Sequence, residues 1–311
     1  MDSALTARLL GEERLLQKIL SGFPSAPPDV ICGPGDDCAV LKSGIARMWS
    51  LLKCDSVIEG VHFTPSAPLR KVGWKALCRA ISDVAAMGGT PRFALVTLHA
   101  PGNTPWIHIR ELYRGIHHAG KTFGVAVVGG ETCSTPGPLT VSVTLTGSVL
   151  QKQCVLRSGA SPGDWLCVSG RLGGSLESGR HLTFTPRVRE ARWLVQHFKP
   201  TAMMDLSDGM AADLPRLARA SACGVRLNED AVPRHRGVSL HAALNDGEDF
   251  ELLFTVAPRR WKPLEAEWNR QFPKTRLSCI GVMTPSTEGC QPANLFSTGG
   301  YHHFEHPRSD A

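Results

Sequence analysis

A single carboxylate restricts how this chain can fold. The segment from Lys71 to Met87 carries a helical apolar pattern and is stopped by Gly88-Gly89 and Pro91. Asp83 lies in its last part, among Ile81, Val84, Ala85, Ala86 and Met87. There it faces the negative end of the helix dipole, at a cost of a few tenths of a kcal/mol or more. Burial among apolar neighbours raises that cost. Any fold that packs this helix must therefore bring positive charge to Asp83.

Around it, short apolar runs alternate with helices. The first twenty residues form an amphipathic pattern (Leu9, Leu10, Leu15, Leu16, Ile19) and a Pro-rich loop follows. Strands are expected at 49–54, ending at Asp55, at 93–99, and at 125–128, ending in Gly129-Gly130-Glu131. A second helix is expected at 106–121, and 139–149 alternates as a strand with one wet face. Turn chemistry over Ser158–Gly163 marks a boundary near 150. Beyond it come strands at 165–168, 202–206, 250–256 and 278–282, a helix near 187–196, and a helix over 207–223 broken or kinked at Pro215. The expected fold class is α/β (α+β) with two domains, residues 1–150 and 151–311.

The placement of acids is unusual. Asp37, Asp55, Asp83, Glu131, Asp205 and Asp208 all fall at expected ends of strands or helices, most beside Gly or Ser. Such positions lie on turns, where side chains converge. Each has a plainer reading: Asp208 as a helix cap, Asp36 and Asp37 as turn residues, Asp55 paired with a lysine. Taken together they suggest a common purpose. Two carboxylates about 4 Å apart repel by roughly 4 kcal/mol at an effective dielectric of 20, so several together need cations or protons. Oxygen ligands without a matching His/Cys set favour Mg²⁺, which usually shares its shell with substrate phosphates.

Other features exclude classes. The net charge of +6 comes with no Lys/Arg run longer than two, so no nucleic-acid partner is expected. Ten cysteines form no CxxC pair and most sit in apolar runs, as core residues in a reducing compartment do. No stretch of about 18 apolar residues occurs, and the first twenty residues are charged throughout, so neither a membrane partner nor a signal peptide is expected. A cytoplasmic protein is the expectation. Gly170-Arg-Leu-Gly-Gly174 is not GxGxxG, and no GxxxxGK[ST] exists, which excludes a P-loop enzyme and gives no clear Rossmann dehydrogenase.

Seven segments, in order, resemble the thiamine-monophosphate kinase family. They are Gly35-Asp-Asp-Cys-Ala-Val40, Asp55-Ser-Val-Ile-Glu-Gly-Val-His-Phe63, Ile81-Ser-Asp-Val-Ala-Ala-Met-Gly88, Gly129-Gly-Glu-Thr132, Arg157-Ser-Gly-Ala160, Asp205-Leu-Ser-Asp-Gly209 and Gly247-Glu-Asp-Phe-Glu-Leu252. The resemblance spans about residues 11 to 304. It implies the two-domain architecture of aminoimidazole-ribonucleotide synthetase-like (PurM-like) ATP enzymes, with residues 1–150 binding ATP and Mg²⁺ and dimerising, and residues 151–311 completing the site. It also implies a homodimer paired through N-terminal sheets, with ATP and thiamine monophosphate as substrates. By the same resemblance Asp37, Asp55, Asp83, Glu131, Asp205 and Asp208 hold several Mg²⁺ ions. Asp83 and Asp208 would be catalytic, Gly130, Glu131, Arg157 and Ser207 would meet ATP, and His62 and Glu248 would contact the thiamine phosphate.

The chain departs from the family pattern at three places. Glu131 stands where Asp is usual, and Lys53-Cys54 stand where hydroxyl residues usually precede Asp55. Lys53 could supply a cation's charge or point into solvent. Thr298 stands where a substrate-stacking Trp is usual, and the histidines 302, 303 and 306 read as a solvated tail. The alternatives are another ATP enzyme of the superfamily and a catalytically weakened nucleotide-binding homologue.

Overall fold

The computed structural model describes residues 6–296 and 299–301. The chain order is α1 (Ala7–Ser21), β1 (Val30–Cys32), β2 (Ala39–Lys42), β3 (Met48–Ile58), α2 (Leu69–Ala86), β4 (Thr90–Ala100), α3 (Trp106–Phe123), β5 (Ala126–Ser134) and β6 (Thr140–Leu150). Then follow β7 (Trp165–Ser169), α4 (Val188–His197), β8 (Ala202–Asp205), α5 (Met210–Ala220), β9 (Cys223–Leu227), α6 (Leu240–Asn245), β10 (Leu252–Val256), α7 (Pro258–Gln271), β11 (Leu277–Pro285) and β12 (Cys290–Gln291). The strands form two six-stranded sheets, β1-β2-β3-β6-β4-β5 and β12-β9-β11-β7-β10-β8. Thr298 and the histidines 302, 303 and 306 lie outside the described residues.

The first sheet is built by alternation. In β6 Val141, Val143 and Leu145 are buried while Ser142, Thr144 and Thr146 face outward, the pattern its sequence called for. Helices α2 and α3 cover the apolar face and cross with backbones in contact. A Cβ at Gly73 would lie 1.9 Å from the Leu112 carbonyl oxygen. The opposite face carries Leu52, Phe93 and Leu95, all more than a third exposed.

Helix α2 is apolar on nearly every side because both halves of the chain bury it. Thirteen of its 18 residues are buried, and one hydrophobic core runs from β3, β4 and β6 past α2 to Leu194, Phe254 and Trp268 of the second half. This central position decides where Asp83 must find its counter-charge. No described helix is long and apolar enough to cross a membrane.

Three expectations from the sequence need correction. Asp55 does not end a strand. It lies inside the eleven-residue β3, on the face it shares with Lys53, Leu51 and Val57. Glu131 does not follow a strand end either, because β5 continues through it to Ser134. Glycines there look like a turn, but Gly130 lets β5 lie against β4: a Cβ on it would fall 1.8 Å from the Val96 carbonyl oxygen. Finally, Pro215 does not break a helix. Helix α5 begins only at Met210, so the proline sits in its second turn, where just one amide bond is forfeited.

Candidate active site

Three of the six acids meet. Asp37 lies on the Gly-rich loop between β1 and β2, Asp83 on α2 and Asp205 at the end of β8, and one carboxylate oxygen from each falls within 4.8 Å of the other two. Each is buried, with exposures of 2%, 6% and 2%. The second half of the chain closes the cluster: Ser82 on α2 donates to Asp205 Oδ2 at 2.5 Å, and Arg157 Nη2 donates to Asp37 Oδ1 at 2.6 Å. Lys53 reaches over from β3, and its Nζ lies 2.8 Å from Asp83 Oδ1.

The electrostatics are unbalanced in favour of a missing positive charge. Burial, and then the neighbouring Asp37, push the Asp205 carboxyl up to about 7 despite the Ser82 hydroxyl, Lys53 and Arg157. Burial pushes Asp83 well above the ordinary carboxylate range, opposed by Lys53 and reinforced by Asp205, Asp55 and Asp37. Asp37 Oδ2 is buried with no hydrogen-bond partner. A buried carboxylate oxygen without a donor is costly in a protein interior. Three convergent hard oxygen donors with one oxygen unsatisfied fit a divalent cation of the Mg²⁺ type.

One turn of α2 away lies a second polar group. Arg79 stands at position i−4 to Asp83, with Nη2 3.6 Å from Asp55 and Nη1 3.3 Å from Glu248. Lys75, a further turn back and fully buried, places Nζ 2.5 Å from Glu248 Oε2, 2.6 Å from the His62 carbonyl oxygen and 2.9 Å from His181 Nδ1. His62 Nδ1 accepts the Ile58 amide proton at 3.1 Å, which puts the ring's own proton on Nε2. His62, Arg79, Ser207, Asp208, Glu248 and Tyr301 line one narrow cleft.

Backbone geometry holds this cleft together. Gly247, Glu248 and Phe250 all have positive φ, at 69°, 59° and 52°. For non-glycine residues that conformation costs of order 1 kcal/mol or more and persists where surroundings enforce it. Here the Glu248 amide donates to the Ser207 carbonyl at 2.7 Å and the Phe250 amide to the Leu206 carbonyl at 2.8 Å. The two motifs 205–209 and 247–252, far apart in sequence, are thus joined backbone to backbone.

The expected residues do not all gather. Asp55 and Asp208 lie outside the trio of mutually close carboxylates. Asp55 pairs with Arg79, and Asp208 forms an ion pair with Arg216 at 2.5 Å. Gly130 and Glu131 lie on β5, the edge strand. The register sets Glu131 beside Thr97, on the face turned away from the helices, and its carboxylate accepts the Thr132 amide proton at 2.8 Å.

Other residues escaped the sequence reading. Lys75, Arg79 and Asp83 recur at i, i+4 and i+8 and so form one charged stripe on an apolar helix, a signal that was present. Asp213, on α5, was not among the acids singled out. It is fully buried, its Oδ2 accepts the amides of Ser207 and Asp208 at 3.0 Å each, and burial and then Asp208 push it up to about 8. A third missed feature is a cavity of about 1040 Å³ along α3, lined by Arg110, Arg114, His117 and Lys121 at helical spacing, with Arg70, Tyr113 and Thr132.

Comparison with known proteins agrees over almost the whole chain. Residues 35–149 match the family AIR synthase related protein, N-terminal domain, and residues 162–267 match AIR synthase related protein, C-terminal domain. The chain is 37% identical to the thiamine-monophosphate kinase of Rhodopirellula baltica, covering 90% of this chain and 89% of that one. It is 34% identical to the thiamine-monophosphate kinase of Bacillus subtilis, covering 88% and 93%. Among solved structures, AaThiL complexed with AMPPCP and TMP superposes with a TM-score of 0.84 at 30% identity, covering 97% of this chain and 99% of the other.

Proposed function

The chain belongs to the thiamine-monophosphate kinase family, and on that premise we propose that it transfers the terminal phosphoryl group of ATP to the phosphate of thiamine monophosphate, giving thiamine diphosphate and ADP. The observation that carries the chemistry is the convergence of Asp37, Asp83 and Asp205, with Asp37 Oδ2 buried and unsatisfied. The acceptor is a phosphate oxygen already ionised near neutral pH, so no strong base is needed. The barrier lies in bringing two anions together and in spreading charge during an in-line transfer.

Asp37, Asp83 and Asp205, with Asp55 and Asp208 at the margin, would hold Mg²⁺, which would supply charge neutralisation for the phosphates. The chain's own residues do the rest. Arg157, beside Asp37, and Ser207, at the cleft, would meet the ATP phosphates. His62 offers Nε2–H to the acceptor phosphate, and Glu248, held by Lys75 and Arg79, faces the cationic thiazolium.

Gly130 and Glu131 join the nucleotide only through a second copy of the chain. Glu131 lies on the face of its sheet turned away from the helices, whereas Asp83 is carried on α2 over the opposite face. The exposed apolar face bearing Leu52, Phe93 and Leu95 suits a homodimer paired sheet to sheet, which would bring one chain's β5 edge toward its partner's carboxylates. Residues 1–150 would then bind nucleotide and metal and dimerise, and residues 151–311 would complete the site. A cytoplasmic setting belongs to the same proposal.

ADP release coupled to a NADH readout, with ATP, Mg²⁺ and thiamine monophosphate, tests the reaction. Thiamine-monophosphate-dependent ADP formation is expected. Lys53 at Asp83 favours one second reading, a weakened homologue, and ATP binding without ADP release would select it.

A further inference from the structure

The cation that Asp83 requires is already present in the chain. Lys53 Nζ lies 2.8 Å from Asp83 Oδ1, with its side chain only 23% exposed. It extends from the same face of β3 as Asp55 and is flanked by Asp37. A lysine side chain carries its proton near neutral pH, and here it is held against a carboxylate. Four carboxylates, Asp37, Asp55, Asp83 and Asp205, therefore face three fixed cations, Lys53, Arg79 and Arg157. Of these cations, Lys53 alone bears directly on the oxygen that Asp83 turns toward β3.

We propose that the Lys53 ammonium takes the place of one divalent ion at the carboxylate cluster, so that this chain binds one fewer Mg²⁺ per active site than the same cluster would without it. The reason is geometric. An ammonium within hydrogen-bond distance of a carboxylate oxygen occupies the position from which a metal would bind that oxygen. It also repels a second cation brought alongside. The remaining capacity lies on the other side of the cluster, where Asp37 Oδ2 has no donor. A tethered charge also costs no metal dehydration, so it is present before nucleotide arrives, whereas Mg²⁺ usually enters with its phosphates.

This inference rests on the metal-binding reading of the site, and its test does not need turnover. Equilibrium dialysis of the full chain counts Mn²⁺ bound per chain in the presence of an unhydrolysable ATP analogue. Lys53→Thr is expected to bind one more Mn²⁺ than the unsubstituted chain, and Lys53→Arg, which keeps the charge, the same number. Lys53→Gln, closer in length, is the second neutral variant should threonine unfold the protein, as melting curves will report. An equal count in the unsubstituted chain and the neutral variants overturns the proposal, as does a lower count in the neutral variants. Mn²⁺ bound by no form removes the metal reading itself and this inference with it, a result distinct from an unchanged count. Absence of thiamine monophosphate phosphorylation, with the extra Mn²⁺ observed, leaves Lys53 in this role and refutes only the assigned reaction.

Discussion

The Ser82 hydroxyl donates to Asp205 Oδ2 at 2.5 Å, tying α2 to the last residue of β8 beneath the carboxylate cluster. Both residues are buried, at 2% exposure each. Ser82→Ala removes the donor and leaves a buried oxygen short of one bond. We expect a loss of about 1–3 kcal/mol in the unfolding free energy of the metal-free protein. Urea titration measures it, and an unchanged midpoint would show that the contact carries no net stability.

Asp83→Asn and Asp208→Asn keep the shape of each side chain and remove its charge. Turnover is expected to fall by orders of magnitude in both, with the far-ultraviolet circular dichroism spectrum unchanged, since removing charge stabilisation of a transferring phosphoryl group typically costs 10²-fold or more. Near-normal kcat in both variants counts heavily against the assigned site.

Gly130→Ala tests the packing of β5. The added Cβ would sit 1.8 Å from the Val96 carbonyl oxygen, on a backbone with φ of 151°. The edge strand must move away from β4, so the melting temperature should drop by several degrees and any dimer formed through this sheet should weaken in sedimentation. A variant as stable and as associated as the parent refutes the close approach.

The cluster gives stability a pH dependence of defined sign. Burial first, then a neighbouring carboxylate, raises Asp205 to about 7 and Asp213 to about 8. Such groups bind their protons more tightly in the folded than in the unfolded chain. Their contribution to stability is full below the unfolded value near 4 and is lost as pH rises through about 7 to 8. In metal-free buffer this contribution therefore declines from pH 5 to pH 8. Mg²⁺ needs the ionised carboxylates, so its stabilising shift in melting temperature should be larger at pH 8 than at pH 5. Differential scanning calorimetry with and without chelator measures both, and a larger Mg²⁺ shift at the lower pH contradicts the reading.

Glu248→Gln separates substrate grip from chemistry. The carboxylate is held by Lys75 at 2.5 Å and Arg79 at 3.3 Å, one helical turn from Asp83. We expect KM for thiamine monophosphate to rise at least tenfold with a smaller change in kcat. A fall in kcat with KM unchanged would move Glu248 from the substrate to the phosphoryl-transfer step.

The elements were legible wherever local chemistry determines them. The alternation in β6, the apolar period of α2 and its Gly88-Gly89 stop all appear in the sequence and in the fold. The trio was legible only as part of a set of six acids at expected ends of strands and helices, because each acid alone also suits a cap, a turn or an ion pair. The sequence reading failed where position depends on a neighbouring strand. Asp55 was placed at a strand end because the apolar run stops there, but pairing with β6 carries β3 on to Ile58. Gly129-Gly130 was expected to end its strand because glycine usually breaks strands. Close contact with β4 keeps β5 extended through both.

By itself, the sequence determined that the clustered carboxylates would need cations or protons, since Asp83 sits in an apolar helix at the negative end of its dipole. It also placed the chain among its relatives through motifs that local turn chemistry preserves. Only the tertiary structure decided which carboxylates share a site. Burial of α2 between two sheets brings Asp83 to Asp37 and Asp205, leaves Asp55 with Arg79, and turns Glu131 to the opposite face of its sheet. Pleat and strand register set these directions through pairing across the whole sheet, and no local stretch of residues encodes that.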